Sequence, residues 1–179
     1  MKVAATALPD VKVIEPAVFT DDRGFFFESW NARALAESGI AVTFVHDNHS
    51  RSRRHVLRGL HYQIEHAQGK LVRCVSGEVY DVAVDLRRSS PTFGRAVGVA
   101  LSADNQRMLW IPPGFAHGFV VVSDTADFLY KTTDYWHPRH ERTLFWNDPA
   151  LAIAWPIAAP VVNAKDAAGV PLAAAEVYP

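Results

Sequence analysis

Between residues 10 and 135 the apolar positions come in short runs broken by Gly, Pro and Asp, the pattern of strands and turns. KLVRCVSGEVYDVAVDL (70–86) predicts a hairpin: a strand, a turn at Ser76-Gly77-Glu78, and a second strand. In 79–86, Tyr80, Val82, Val84 and Leu86 share one face, while Asp81 and Asp85 share the other. RAVGVALS (95–102) and RMLWIPPGFAHGFVVVS (107–123) continue the strand pattern, with Pro-Pro-Gly at a sharp turn. Helical signals are few. NARALAESGI (31–40) has Asn31 to cap it and Gly39 to end it, NDPALAIAW (147–155) fits a turn or short helix, and DAAGVPLAAAE (166–176) another. No repeat or break in composition separates a second unit. The expectation is one domain over 1–179, mainly β, a jelly-roll sandwich or barrel with a few short helices.

Within this apolar frame VLRGLHYQ (56–63) is anomalous, because Arg58 and His61 are costly to bury without a partner. Three positions separate them, so a regular strand would turn them to opposite faces unless the chain bends at Gly59. The formal net charge of −1 supplies no general field for nucleic acid or anionic membrane, so an anionic ligand needs a local cation cluster. No apolar run approaches transmembrane length, and the N-terminus makes a poor signal peptide. The single cysteine, Cys74, excludes an internal disulfide and suits a reducing compartment. A cytoplasmic protein is expected.

Two chemistries suit these residues. A metal site in a β-barrel calls for closely spaced histidines with a carboxylate, but Tyr62 and Gln63 follow His61, and Gly118 and Phe119 follow His117. His46 and His49, like His137 and His140, read as loop residues, so no metal is expected. The alternative is acid–base chemistry: a histidine to remove a proton, a lysine to stabilise an oxyanion and a tyrosine to return a proton. His61, Lys70 and Tyr130 are of the right types, and strand parity leaves Asp81 and Asp85 open as partners of His61. Trp110, Trp136, Trp146 and Trp155 read as core.

Seven runs carry a resemblance that spans nearly the whole chain: DDRGFFFESWN (21–31), DNHSRSRRHVLRGLHYQ (47–63), GKLVRCVSGEVYDVAVDLRRSSPTFG (69–94), LWIPPGFAHGFVVVS (109–123), FLYKTTDYW (128–136), WNDPALAIAWP (146–156) and AKDAAGVPL (164–172). In this order they resemble the cupin-like dTDP-4-dehydrorhamnose 3,5-epimerase family. The resemblance implies a homodimeric jelly roll without metal or organic cofactor. The implied reaction inverts C3 and C5 of dTDP-4-dehydro-6-deoxy-D-glucose, giving dTDP-4-dehydro-L-rhamnose. It also implies the roles: His61 as base, Asp166 as its orienting carboxylate, Tyr130 as proton donor and Lys70 as enolate stabiliser. Arg23, Glu28, His46, Asp47, Asn48, Arg58, His117, Glu141 and Lys165 match the substrate-contacting positions. The chain departs from the family at His46, usually glutamine, and at His55, usually glycine. The same residues also suit a mono-epimerase acting at C3 or C5 alone on a related dTDP-4-keto-6-deoxy sugar.

Overall fold

A computed structural model describes residues 1–179. Its strands are β1 (Lys2–Ala5), β2 (Lys12–Glu15), β3 (Phe19–Asp21), β4 (Gly24–Phe26), β5 (His46–Arg53), β6 (Leu57–Gln63) and β7 (Lys70–Ser76). They continue with β8 (Glu78–Asp85), β9 (Ala96–Ser102), β10 (Met108–Ile111), β11 (Phe115–Val121), β12 (Thr125–Thr132) and β13 (Glu141–Thr143). Two short helices, α1 (Ala32–Glu37) and α2 (Ala164–Ala167), and two single 3₁₀ turns complete the chain.

One sheet of six strands runs β1-β2-β10-β7-β12-β5, and a second of five runs β13-β6-β11-β8-β9. The strand pairs within both are antiparallel. Val72, Leu109, Ile111 and Phe128 from the first sheet pack on Val79, Ala83, Leu101, Phe115 and Phe119 from the second. This is the jelly-roll sandwich that the strand pattern predicts. Burying this apolar surface between two sheets is the main stabilising term.

The hairpin expected over 70–86 does not form. β7 pairs with β10 and β12, whereas β8 pairs with β11 and β9, so the chain changes sheet at Gly77. A Cβ on Gly77 would meet the Thr125 carbonyl oxygen at 2.0 Å, and the residue sits at φ +74°. Only glycine fits this corner, and a corner and a tight hairpin share the same local signal. β8 also lacks a wet face. Its outward Val82 and Val84, with Leu86 just past its end, lie under Leu144, Leu151, Trp155 and Tyr178 from the C-terminal third.

The signals over 31–40 and 147–155 are met, whereas the one over 166–176 is split: α2 ends at Ala167, Val170 bridges Leu144, and a 3₁₀ turn follows at Leu172–Ala174. Asn31 caps α1 by accepting from the Ala34 N–H at 3.1 Å, and Gly39 turns the chain away at φ +81°. Leu35 and Ile40 then cover Ile14, Leu71, Met108 and Trp110 on the outer face of the larger sheet. No helix is long and apolar enough to cross a membrane.

Candidate active site

Between the sheets lies a cavity of about 400 Å³ whose wall carries His46, Asn48, Ser50, Arg58, His61, Lys70, His117, Tyr130 and Asp166. Strand register explains why these side chains meet. In the six-stranded sheet His46 stands opposite Thr132, and Thr132 opposite Lys70; one step along, Asn48 faces Tyr130 and Tyr130 faces Val72. Side chains alternate along a strand, so 46, 48, 50 and 52 of β5 share one face with 70 and 72 of β7 and with 128, 130 and 132 of β12. In the five-stranded sheet His61 pairs with His117 and Gln63 with Glu141. His61 and Tyr130 therefore come from facing sheets.

The parity problem at Arg58 and His61 is solved at Gly59. The β6–β11 register shifts between His117 and Phe119, and Gly59 sits at φ +119°. A Cβ there would lie 2.6 Å from Gly118 Cα, and one on Gly118 would lie 2.6 Å from the Arg58 carbonyl oxygen. The two glycines let the backbones close up, and this irregularity turns Arg58 and His61 to one cavity.

Of the carboxylates left open for His61, the fold selects Asp166. The C-terminal segment docks along β6 through the Leu57 N–H, which donates to Val161 at 2.9 Å. Asn163 then caps α2 by accepting from the Asp166 N–H at 2.7 Å. Asp166 is fully buried, and its carboxylate accepts from the Gly59 N–H at 3.1 Å and meets His61 Nε2 at 2.6 Å. Burial raises its pKa, but hydrogen bonding and charge from His61, with the Gly59 N–H, outweigh that and hold it below the usual carboxylate range. An ionised carboxylate only accepts, so the neutral His61 ring carries its proton on Nε2 and leaves Nδ1 unprotonated.

Asp81 and Asp85 are occupied elsewhere. Asp81 binds His117 Nε2 at 2.9 Å, while Asp85 accepts from Arg87, Ser90 and Thr92. Burial drives the Asp81 pKa up and the His117 pKa down, against the attraction between them. Lys70 is nearly fully buried, and its Nζ lies 3.4 Å from the His61 carbonyl oxygen. Burial pushes its pKa down to about 8, against the pull of Asp81 and Glu141. Burial also raises the Tyr130 pKa, partly offset by Arg58. Arg58 Nε donates to Ser52 Oγ at 2.9 Å, and Lys165 pairs with Glu141 at 2.7 Å.

Four of the matched positions do not line this chain's own cavity. Arg23 is ion-paired with Asp21 on the exposed β3–β4 ribbon, Glu28 is exposed beside Asn31, and Asp47 points to the opposite face of β5 to meet Lys131 at 2.8 Å. Lys165 reaches the cavity wall through Glu141. Sequence reasoning missed Ser50, whose hydroxyl is buried in the wall without a protein partner. Its signal was present: small polar residues at 48, 50 and 52 alternate with His and charged ones at 47, 49, 51 and 53.

Comparison with known proteins places the chain. The family model for dTDP-4-dehydrorhamnose 3,5-epimerase matches residues 5–174. The chain is 63% identical to the dTDP-4-dehydrorhamnose 3,5-epimerase of Pseudomonas aeruginosa over the full length of both. It is 60% identical to that of Salmonella typhimurium, over 94% of this chain and 93% of the relative. The structure of a Legionella pneumophila dTDP-6-deoxy-D-glucose-3,5-epimerase in complex with dTDP-4-keto-L-rhamnose superposes with a TM-score of 0.95 at 52% identity, covering 98% of this chain and 94% of that one. With the facing histidine and tyrosine, the buried lysine and these likenesses together, the chain belongs to the dTDP-4-dehydrorhamnose 3,5-epimerase family.

Proposed function

We propose that this protein inverts C3 and C5 of dTDP-4-dehydro-6-deoxy-D-glucose by proton removal on one face and proton return on the other. The observation that carries the reading is the placement of His61 and Tyr130 on facing sheets across one cavity. Inversion needs two groups on opposite sides of a ring carbon, and both carbons flank the C4 ketone that acidifies their protons. His61 Nδ1 takes the proton, and Asp166 stabilises the imidazolium that forms. The Lys70 ammonium balances the enolate oxygen, a contribution worth several kcal/mol in comparable oxyanion sites. Tyr130, kept protonated by burial, supplies the new proton. Arg58, oriented by Ser52, holds the diphosphate with its planar fork.

The protein acts as a homodimer in this reading. Phe19, Phe25 and Phe26 are 61–68% exposed on the β3–β4 ribbon, an apolar surface that a second copy would cover. Arg23 and Glu28, which miss their own cavity, would then serve the neighbouring one. A solution mass of one chain, or full activity in Phe25→Asp monomers, overturns the dimer. The single unpaired, buried Cys74 fits work in the reducing cytoplasm.

Turnover of the 4-keto-6-deoxy sugar nucleotide in D₂O, followed by NMR, tests the reaction. Deuterium at both C3 and C5 with inversion of each is expected. Deuterium at one carbon identifies a mono-epimerase, and none at either identifies a binding protein.

A further inference from the structure

Beyond the cavity, three histidines converge where the 64–69 loop, carrying His66, meets the 133–140 loop, carrying His137 and His140. The loops are locked together by hydrogen bonds that leave the histidine rings free. Gln63 donates to the carbonyls of His66 and Tyr135 at 2.7 and 3.1 Å and accepts from the His137 N–H at 2.7 Å. Gln68 donates to the Asp134 carbonyl at 2.9 Å, and the Ile64 N–H to that of His140 at 3.0 Å. His66 itself holds φ +55°, a left-handed backbone that few non-glycine residues adopt.

On this scaffold the His66 and His137 rings lie 4.0 Å apart and 15° from parallel. Asp134 Oδ2 stands 3.6 Å from His66 Nδ1, and Oδ1 stands 3.8 Å from His137 Nε2. Those separations are too long for hydrogen bonds. The two distances run to different carboxylate oxygens, and the stacked rings hold their lone pairs in nearly parallel planes. Ligating one ion at about 2.0–2.1 Å therefore requires these partly exposed imidazoles to turn about their Cβ–Cγ bonds. One donor atom from each of the three residues falls within 4.8 Å of the others. Two imidazoles and one carboxylate form the set that borderline divalent metals prefer over Ca²⁺ or Mg²⁺.

We propose that His66, His137 and Asp134 form a binding site for a zinc-class divalent cation, separate from the epimerase cavity. Glu65, His66 and His140 make a competing set that shares His66. It is the poorer one: the Glu65 side chain is 70% exposed and that of Asp134 35%. Asp134 is also fixed at both ends, its carbonyl accepting from Thr132 Oγ1 and its carboxylate from the Tyr135 N–H. The site leaves a fourth position open. His66, His137 and Asp134 do not line the catalytic cavity, so the site acts outside the acid–base chemistry.

Calorimetric titration of the chelator-stripped, full-length protein with ZnCl₂ tests this, with MgCl₂ as the hard-cation control. One zinc per chain and no magnesium binding are expected. His66→Gln, His137→Gln and Asp134→Asn should each weaken zinc binding by at least about tenfold, since even partners outside a metal's ligand set are worth about 10–100-fold. His140→Gln should keep it. Each variant should retain metal-free epimerase turnover, which shows that it is folded. Co²⁺ gives a second readout, its visible bands shifting in His137→Gln but not in His140→Gln. Absence of saturable zinc binding, parental affinity in His66→Gln or His137→Gln, or loss in His140→Gln with retention in His137→Gln overturns the proposal.

Discussion

Asp166 Oδ1 stands 2.6 Å from His61 Nε2, a contact between residues 105 positions apart in the chain. Neither residue reaches the other through its own element alone. β6 must break its register at Gly59, and the C-terminal segment must dock on β6 before α2 can present the carboxylate. The same Gly59 donates its N–H to Asp166, so the break that turns His61 to the cavity also holds its partner.

Removing the imidazole should abolish proton exchange. In His61→Ala, deuterium incorporation from D₂O should vanish while calorimetric binding of dTDP persists, because the diphosphate is held by other groups. Asp166→Asn should retain some activity, about 10–100-fold below the parent, since the base survives but loses its orienting carboxylate. Near-parental exchange in folded His61→Ala would remove it from the role of base.

Tyr130→Phe should separate the two halves of inversion. The ring would still pack on Phe128, whose centroid lies 6.3 Å away, so folding is preserved. Proton removal by His61 continues, and deuterium washes in on the His61 face faster than the carbons invert. Net epimerisation should fall by about 10²–10⁴-fold, the usual range for a positioned general acid. Parental inversion at both carbons would make Tyr130 a packing residue.

The pH profile should report Lys70. Its pKa is lowered to about 8 by burial, so the stabilising ammonium is present below that pH and lost above it. The kcat/KM of the parent should therefore decline as pH rises through about 8. Lys70→Met, which has no ammonium to lose, should start from a much lower plateau and lack that limb. An alkaline limb unchanged in Lys70→Met would assign the titration to another group.

Asp85, once open as a partner of His61, belongs to the fold. Its buried carboxylate accepts from the Arg87 side chain and N–H, Ser90 and Thr92, and Arg87 stacks 4.6 Å over the Phe115 ring. Burial raises the Asp85 pKa, but these donors more than reverse that and bring it down to about 2 from the ordinary 3.8. A depressed pKa adds stability that is complete above about pH 4 and lost as pH falls through about 2. That difference amounts to about 2 kcal/mol. Asp85→Asn should lose about that much at neutral pH and show a flatter acid-unfolding curve. Equal denaturation midpoints at pH 7 would contradict it.

The sequence made some of this visible and hid the rest for identifiable reasons. Local signals were sufficient for α1, whose cap and terminator lie within its own ten residues, and for strands with strong period-two patterning. Partner choice was hidden. Gly77 reads as a hairpin turn, yet β7 and β8 enter different sheets, because a corner and a hairpin use the same residues locally. The residue types of the site were legible, but the choice of Asp166 over Asp81 or Asp85 depends on docking a distant segment. His55, which stands where the resembled family usually has glycine, sits at φ +69°. That is the left-handed region glycine adopts most easily, so a histidine here holds the conformation that the glycine implied by the resemblance would favour. The proximity of His66, His137 and Asp134 was hidden because His66 and His137 come from different loops, and no short spacing joins them.

Ser50 supplies the last test, because function and stability should respond to it differently. Its Oγ is buried and has no protein hydrogen-bond partner, while its neighbours Asn48 and Ser52 point the same way from β5. A buried hydroxyl without a partner is unfavourable in the free protein and becomes useful when a ligand meets it. Ser50 also stands opposite Phe128 in register, one step along the strand face from the Asn48–Tyr130 pair, and its oxygen lines the same cavity as Tyr130. Ser50→Ala removes the oxygen with almost no change in shape. The loss of one substrate hydrogen bond worth about 0.5–1.5 kcal/mol should reduce kcat/KM by about 2–12-fold. The denaturation midpoint should hold or rise, since nothing in the protein is left unpaired. Ser50→Thr, which keeps the hydroxyl but adds a methyl group, should recover part of the activity if the cavity admits the extra volume. A Ser50→Ala protein with parental kcat/KM, or one that unfolds more easily at undiminished turnover, would make Ser50 a structural residue of β5.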